Sequence, residues 1–186
     1  MNRALRNHCK KQLSPKELAA LGPTLEVEIT IAAAHLKFHS DRLKYRTLAL
    51  IDTGADGCCI DPCVASVLNL ISLGKFPAGG TGGGYMADKY LVNFHFVGSD
   101  IGVGNLSVME ANLEKRPFKM LIGRDILSNA IFVYNGINGI LEIRIVPPGM
   151  QSPKKPVNHP VKPPMPSSQN RAARRQAEKK KGKKKR

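Results

Sequence analysis

Leu48-Ala49-Leu50-Ile51-Asp52-Thr53-Gly54-Ala55-Asp56 is the stretch on which the reading of this chain turns. Four apolar residues in a row predict a strand buried on both faces, and Asp-Thr-Gly predicts a tight turn that leaves a carboxylate at the strand end. A charge in that place is costly to desolvate. Either it caps the turn through the local backbone or it is used in chemistry. A second stretch, Met120-Leu121-Ile122-Gly123-Arg124-Asp125-Ile126-Leu127, has the same build: an apolar run into a glycine, then the start of a helix.

Upstream of the first stretch, Leu25 to Ile31 alternates, which predicts a half-buried strand with its Leu, Val and Ile turned to the core. After Ala32 to Phe38, His39-Ser40-Asp41 turns the chain back, and Leu43 to Ile51 returns as the strand that delivers Asp52. Earlier still, Ser14-Pro15-Lys16-Glu17 is a capping box with proline at the first helical position, predicting a short peripheral helix to Leu21 that Gly22-Pro23 stops. Downstream, Asp61-Pro62 is a helix start, and Val64, Val67, Leu68 and Ile71 recur at helical spacing.

Next come Gly79-Gly80-Thr81-Gly82-Gly83-Gly84 and a strand from Tyr85 to Val97, in which Tyr90, Val92, Phe94 and Phe96 share one face. A phosphate-binding loop would need Gly-Lys followed by Ser or Thr, and a dinucleotide loop would need Gly-x-Gly-x-x-Gly opening a helix. Neither is present. Glycines that feed a strand predict a mobile hairpin instead, with its tip between Gly80 and Asp88. Strands follow at Leu106 to Ala111 and Ile131 to Tyr134, with a short helix at Asp125 to Ala130. Asn135-Gly136 and Asn138-Gly139 are turn pairs before a last strand, Ile140 to Val146. The sum is a mainly β domain with two short helices and no internal repeat.

Taken in order, Asp-Thr-Gly-Ala, a glycine-rich hairpin, and an apolar pair before Gly-Arg-Asp resemble the retroviral-type aspartic proteases (retropepsins), from about Leu25 to Val146. The resemblance implies a single-lobe, homodimeric acid-protease fold that hydrolyses peptide bonds. Its chemistry needs two carboxylates sharing one proton, because like charges about 3 Å apart cannot both ionise. This chain has one Asp-Thr-Gly, so the resemblance implies that Asp52 is the catalytic residue and that a two-fold homodimer supplies its partner. Thr53 is implied to hydrogen-bond across the axis, and Gly54 to let backbone approach the carboxylates. Ala55 stands where pepsin-type enzymes carry a hydroxyl, which implies working pH nearer neutral. Asp56 and Arg124 are implied to form a partly buried ion pair, and Gly82, Gly83, Gly84, Tyr85 and Met86 to form the flap over bound peptide. Retroviral enzymes interleave their terminal strands at the dimer interface, whereas both ends here carry basic extensions.

The 29 Lys and Arg against 14 Asp and Glu give a formal net charge of +15, unevenly spread. Pro147 to Arg186 holds 13 basic residues and 1 acidic, a net of +12, and Met1 to Ala20 holds 5 and 1, a net of +4. Leu21 to Val146 is left with 11 and 12, a net of −1. The expected organisation is therefore a basic N-terminal extension with a short helix (1–22), a retropepsin-like domain (23–146) and a disordered Pro/Lys-rich basic tail (147–186). Such a tail attracts polyanions, nucleic acid among them, and in a eukaryote would read as a nuclear import signal. No apolar run has the length of a signal-peptide core or a membrane span, so a cytoplasmic protein with reduced cysteines is expected. Cys58, Cys59 and Cys63 read as small fillers rather than metal ligands, since neighbouring strand residues point to opposite faces and no second pair completes a tetrahedron. None of His8, His35, His39, His95 and His159 is paired with a nucleophile, and no metal or cofactor is expected. The alternative is a catalytically quiet dimer of the same fold that binds nucleic acid through its tail; the intact Asp-Thr-Gly-Ala favours the enzyme.

Overall fold

A computed structural model describes residues 8–38, 43–80 and 83–146. The turn expected at His39-Ser40-Asp41, the Thr81-Gly82 link of the glycine-rich hairpin, and the whole tail expected over 147–186 lie outside the described residues.

In chain order the elements are β1 (His8–Gln12), α1 (Pro15–Leu21), β2 (Thr24–Ile31), a 3-10 turn (Ala33–Phe38), β3 (Lys44–Ile51), β4 (Cys59–Ile60) and α2 (Pro62–Val67). There follow β5 (Lys75–Gly80), β6 (Gly83–Phe96), β7 (Gly102–Glu110), β8 (Phe118–Ile122), α3 (Arg124–Leu127), β9 (Ala130–Asn135) and β10 (Ile140–Ile145). The mainly β class read from the sequence is what forms.

Six strands run in the order β2-β3-β8-β4-β7-β6, and β6 pairs back onto β2, so the sheet closes into a barrel with no free edge. The pairs β3/β8 and β4/β7 are parallel, and the other ladders of the barrel are antiparallel. Val27, Ile29, Ile60, Val92, Phe96, Val108, Met120 and Ile122 fill its interior with almost no exposure. Fully burying one such side chain is worth about 1.5–3 kcal/mol, so the barrel is the stable frame on which the loops are mounted.

The alternation in β2 holds for Leu25, Val27, Ile29 and Ile31. Glu28, on the opposite face, is nevertheless buried. The register sets it directly between Arg46 and His95. Lys44 Nζ and Arg46 Nε cover it from 2.8 and 3.0 Å.

β3 differs from its expected burial on both faces: Ala49 and Ile51 are buried, while Leu48 and Leu50 are half-buried. At α2, Asp61 accepts from the Cys63 N–H at 3.0 Å, as its cap position predicts. The helix stops at Val67, and Asn69 takes a left-handed φ of 49°. Val64 and Leu68 therefore reach the core, but Val67 and Ile71 are exposed, against the spacing argument. The helix expected over Asp125 to Ala130 is likewise the shorter Arg124–Leu127.

Three strands went unread, β1, β5 and the two-residue β4. β5 forms despite Pro77 because it pairs with β6 alone and leaves its other edge free among the described residues. β1 lies inside the basic stretch read as an extension, pairs with β10, and buries Cys9 against the core. Next to it α1 carries the full capping box, with Ser14 Oγ accepting from the Glu17 N–H at 3.2 Å and Glu17 accepting from the Ser14 N–H at 2.8 Å. Its Leu18 is fully buried, so this helix is docked on the core rather than peripheral.

Candidate active site

β3 and β8 run side by side in parallel and end together, Ile51 opposite Ile122. The Asp52 N–H donates to Ile122 O at 3.0 Å, and there the two chains part. Asp52 turns the backbone back on itself: its Oδ1 accepts from the Gly54 N–H at 2.8 Å, and its carbonyl accepts from the Ala55 N–H at 3.3 Å. A Cβ at Gly54 would stand 3.1 Å from Oδ1, so glycine leaves the carboxylate its place. No described residue donates to Oδ2. Asp52 is half-buried, and Thr53 and Gly54 are exposed.

The second motif forms the back of this turn. Arg124 donates its backbone N–H to Ala55 O at 2.9 Å, and its Nη1 donates to Thr53 O at 3.0 Å and Gly54 O at 3.1 Å. Its Nη2 forms an ion pair with Asp56 Oδ1. The Asp125 N–H reaches Asp56 O at 3.2 Å. Close approach is possible because position 123 is glycine: a Cβ there would fall 2.5 Å from the carbonyl carbon and oxygen of Gly57. The expected Asp56–Arg124 pair is present, but it is not partly buried. Its side chains are 91% and 52% exposed, which moves its strength from that of a sheltered pair to about 0–1 kcal/mol. The guanidinium's contacts with the carbonyls matter more.

Sequence reasoning missed the link behind the turn. Asp125 accepts from the Cys58 N–H at 2.9 Å, from the Cys58 thiol at 3.1 Å and from the Ile126 N–H at 2.9 Å. Cys58 Sγ in turn accepts from the Gly123 N–H at 3.4 Å. Burial, and then the bond to Asp125, push the Cys58 thiol well above its ordinary range, so it remains a donor. Cys58 is thus buried as expected of a filler, yet it also carries polar contacts. Cys59 and Cys63 are half-buried rather than buried. Burial pushes the Cys59 thiol up as well, followed by the charges of Asp125 and Asp52. Among the described residues no group of three or more His, Cys, Asp and Glu is placed to hold a metal ion.

The glycine-rich segment forms the β5–β6 hairpin, with Gly79 opposite Gly84 and Gly80 opposite Gly83. Gly83 takes a φ of 111°, which a residue with a side chain rarely adopts. Gly82 lies outside the described residues. Tyr85 and Met86 are exposed large side chains on the hairpin. Its base is fastened: Asp88 accepts from Lys75 Nζ at 2.7 Å and from Ser72 Oγ at 2.8 Å. Tyr85 donates to Glu110 O at 3.4 Å and Tyr90 to Glu110 Oε2 at 3.0 Å, which ties the hairpin to the end of β7. Asp52, Thr53, Gly54, Ala55, Asp56 and Arg124 therefore form one contact network. Gly83, Gly84, Tyr85 and Met86 stand apart on the hairpin, and no hydrogen bond among the described residues joins the two. No protein-family model matches the chain, and no curated protein matches it.

Proposed function

We propose that the chain is one half of a homodimeric, retropepsin-like aspartic endopeptidase in which Asp52 is the catalytic residue. The observation that carries this reading is the state of the Asp52 carboxylate. One oxygen is fixed by the Gly54 N–H, the other has no donor among the described residues, and the turn beneath is braced by Arg124. A carboxylate serving only as a turn cap has no need of a second motif, brought from far along the chain, to hold its backbone.

Peptide hydrolysis at this site requires a second carboxylate, and the chain has a single Asp-Thr-Gly. A two-fold axis between the Asp52 turns supplies it. One carboxylate, ionised, takes a proton from a water molecule as the water oxygen bonds to the scissile carbonyl carbon. Its protonated partner polarises the carbonyl oxygen, and the tetrahedral intermediate breaks its carbon–nitrogen bond as a proton passes to the leaving amine. The β5–β6 hairpin, with Gly82 to Met86, serves as the flap that covers an extended peptide and excludes water. No resident metal or cofactor takes part in this reaction. The four cysteines are free thiols, the form kept in a reducing cytoplasm or nucleus, and no described helix is long and apolar enough to cross a membrane.

The test is cleavage of a diverse peptide mixture, and of the protein's own tail, by wild type beside Asp52→Asn across pH 4 to 8, with dimerisation followed in parallel. Cleavage by wild type and none by a still-dimeric mutant is expected. A confirmed wild-type dimer that cleaves nothing would sink the reading. It would favour the quiet dimer, which the net charge of +12 over Pro147 to Arg186 makes a nucleic-acid binder with steeply salt-dependent affinity.

A further inference from the structure

Outside the barrel, β1, β10 and β9 form a separate three-stranded sheet with β10 in the middle. Cys9 of β1 and Leu141 and Ile143 of β10 are buried, so by alternation His8 and Lys10 share the other face with Glu142 and Arg144. The register sets His8 opposite Arg144 and Lys10 opposite Glu142. His8 and Lys10 are exposed. Arg144 takes up the Glu142 carboxylate, yet its own side chain is 59% exposed against 15% for Glu142. Lys10 has no ion pair among the described residues, nor do its neighbours in the chain Lys11 and Lys16. Glu17, the acid of α1, is bonded to Ser14.

Both basic ends of the chain join the fold at this face. The chain enters β1 at His8 and leaves β10 at Ile145, one residue past the Arg144 that stands opposite His8. Residues 1–7 hold Arg3 and Arg6 and no acid, and Pro147 to Arg186 hold 13 basic residues and 1 acidic. Arg6 is two residues from His8, so the chain keeps the two Cα atoms within about 7 Å. Outside the described residues the only acids are Asp41 and Glu178, so the positive balance here does not depend on where those residues lie.

We infer that this face of β1 and β10, with Arg3 and Arg6, binds the phosphate backbone of a single-stranded nucleic acid, and that the basic tail is a tethered second contact for the same polymer. The sequence alone puts a polyanion on the tail; the register adds a folded surface where that tail begins. A polymer held at one of two linked sites meets the other at a raised effective concentration, so the contacts reinforce each other without touching. An acidic membrane is the competing polyanion, but lasting attachment to it needs apolar groups to insert. Pro147 to Arg186 contain no Leu, Ile, Phe, Tyr or Trp. On the sheet face the register adds the exposed Ile131 and Val133 of β9, a small apolar floor suited to unstacked bases rather than to a bilayer. The assignment stands whether or not Asp52 hydrolyses peptides.

Fluorescence anisotropy of fluorescein-labelled oligouridine, titrated with the full-length protein over a range of salt, tests it, beside co-sedimentation with phosphatidylserine vesicles. The proteins are wild type, Lys10→Glu, Arg3→Gln/Arg6→Gln and, as a control, Lys115→Glu, an exposed residue between β7 and β8. Each variant lowers the net charge equally, and circular dichroism confirms its folding. Wild type is expected to bind the RNA with a steep salt dependence. Lys10→Glu and Arg3→Gln/Arg6→Gln are each expected to weaken binding by about fivefold or more and to reduce the salt slope by about 1, since each lost phosphate contact removes about 0.7 on a single strand. Lys115→Glu is expected to stay within about twofold of wild type. If Lys10→Glu does not fold, Arg3→Gln/Arg6→Gln, which alters no described residue, decides the matter. The assignment is overturned by a folded Lys10→Glu that binds as wild type does, by a Lys115→Glu that weakens binding as much, by a wild type that binds no RNA, or by vesicles bound more tightly than the RNA at equal salt.

Discussion

Replacing Arg124 separates the two tasks the structure gives its side chain. Its guanidinium donates to the carbonyls of Thr53 and Gly54 and pairs with Asp56. A sheltered hydrogen bond from a charged donor contributes about 1.5–3 kcal/mol; with the Arg124 side chain 52% exposed, about 1 kcal/mol remains for each of the two carbonyl contacts. The ion pair, with Asp56 91% exposed, adds about 0.5 kcal/mol. Arg124→Met keeps the apolar stem and removes all three, a loss of about 2.5 kcal/mol. Asp56→Asn removes the ion pair only, a loss of about 0.5 kcal/mol. Arg124→Lys falls between, because one ammonium cannot fork to two carbonyls and a carboxylate at once. Urea denaturation at one fixed protein concentration measures all three, the fixed concentration being needed because the stability of the proposed dimer would depend on it. The reasoning fails if Asp56→Asn costs as much as Arg124→Met, or if Arg124→Met costs nothing measurable. On the protease reading Arg124→Met also loses cleavage, since the turn that aims the carboxylate is no longer braced.

Gly123→Ala would drive a Cβ into the Gly57 backbone, so a loss of about 1–3 kcal/mol or failure to fold is expected in the same denaturation assay, and an unchanged midpoint would contradict the close approach. Cys58→Ser keeps a donor for Asp125 and should be mild, whereas Cys58→Val takes away one of the two donors to Asp125 Oδ1 and the sulfur acceptor of the Gly123 N–H, at a cost of about 1–3 kcal/mol; equal effects would show that the thiol's bonds are idle. The Glu28 carboxyl is held below its usual range by its bonds to Lys44 and then Arg46. A lowered folded value means stability that is present above the unfolded value, near 4.3, and lost as the pH falls through the folded one. Melting curves of wild type should therefore fall more steeply below about pH 4 than those of Glu28→Gln, and parallel curves would argue against the contribution.

The parts of the fold legible in the sequence are those governed by neighbours along the chain. Alternation in Leu25 to Ile31, the caps Ser14 and Asp61, and the turn pairs at Asn135 and Asn138 each act over a few residues, and each forms. What stayed hidden depends on partners far away. β1 has lysines and no alternation, and becomes a strand only because β10 offers it an edge. β5 contains Pro77 and two glycines, and exists as the return arm of β6. Glu28 alternates outward as the pattern demands, yet it is covered because β3 brings Lys44 and Arg46, and β6 brings His95, to its two sides. At the site, the contact between Asp56 and Arg124 was readable through the family resemblance, but the role of Cys58 was not. A cysteine beside a strand carries no sign that its thiol will meet the Asp125 carboxylate.

The need for two motifs follows from counting carbonyls. An irregular turn at the end of a buried strand leaves backbone oxygens with no ladder to join, and each must find a donor or lose stability. Here Arg124 satisfies the oxygens of Thr53, Gly54 and Ala55, and the Asp125 N–H satisfies that of Asp56. Four consecutive carbonyls are thus taken by two residues that β8, parallel to β3, carries to the same end of the barrel. The back of the turn is closed by this arrangement. Its front, with Oδ2 of Asp52 lacking a donor among the described residues and Thr53 and Gly54 exposed, is held in shape without being covered by any of them. A surface preorganised in this way has already met the entropic cost of ordering before anything binds, which on the protease reading favours a second carboxylate and a peptide at that place. An Asp-Thr-Gly arising by chance at a strand end would lack the brace, and its carboxylate would have no fixed direction in which to act.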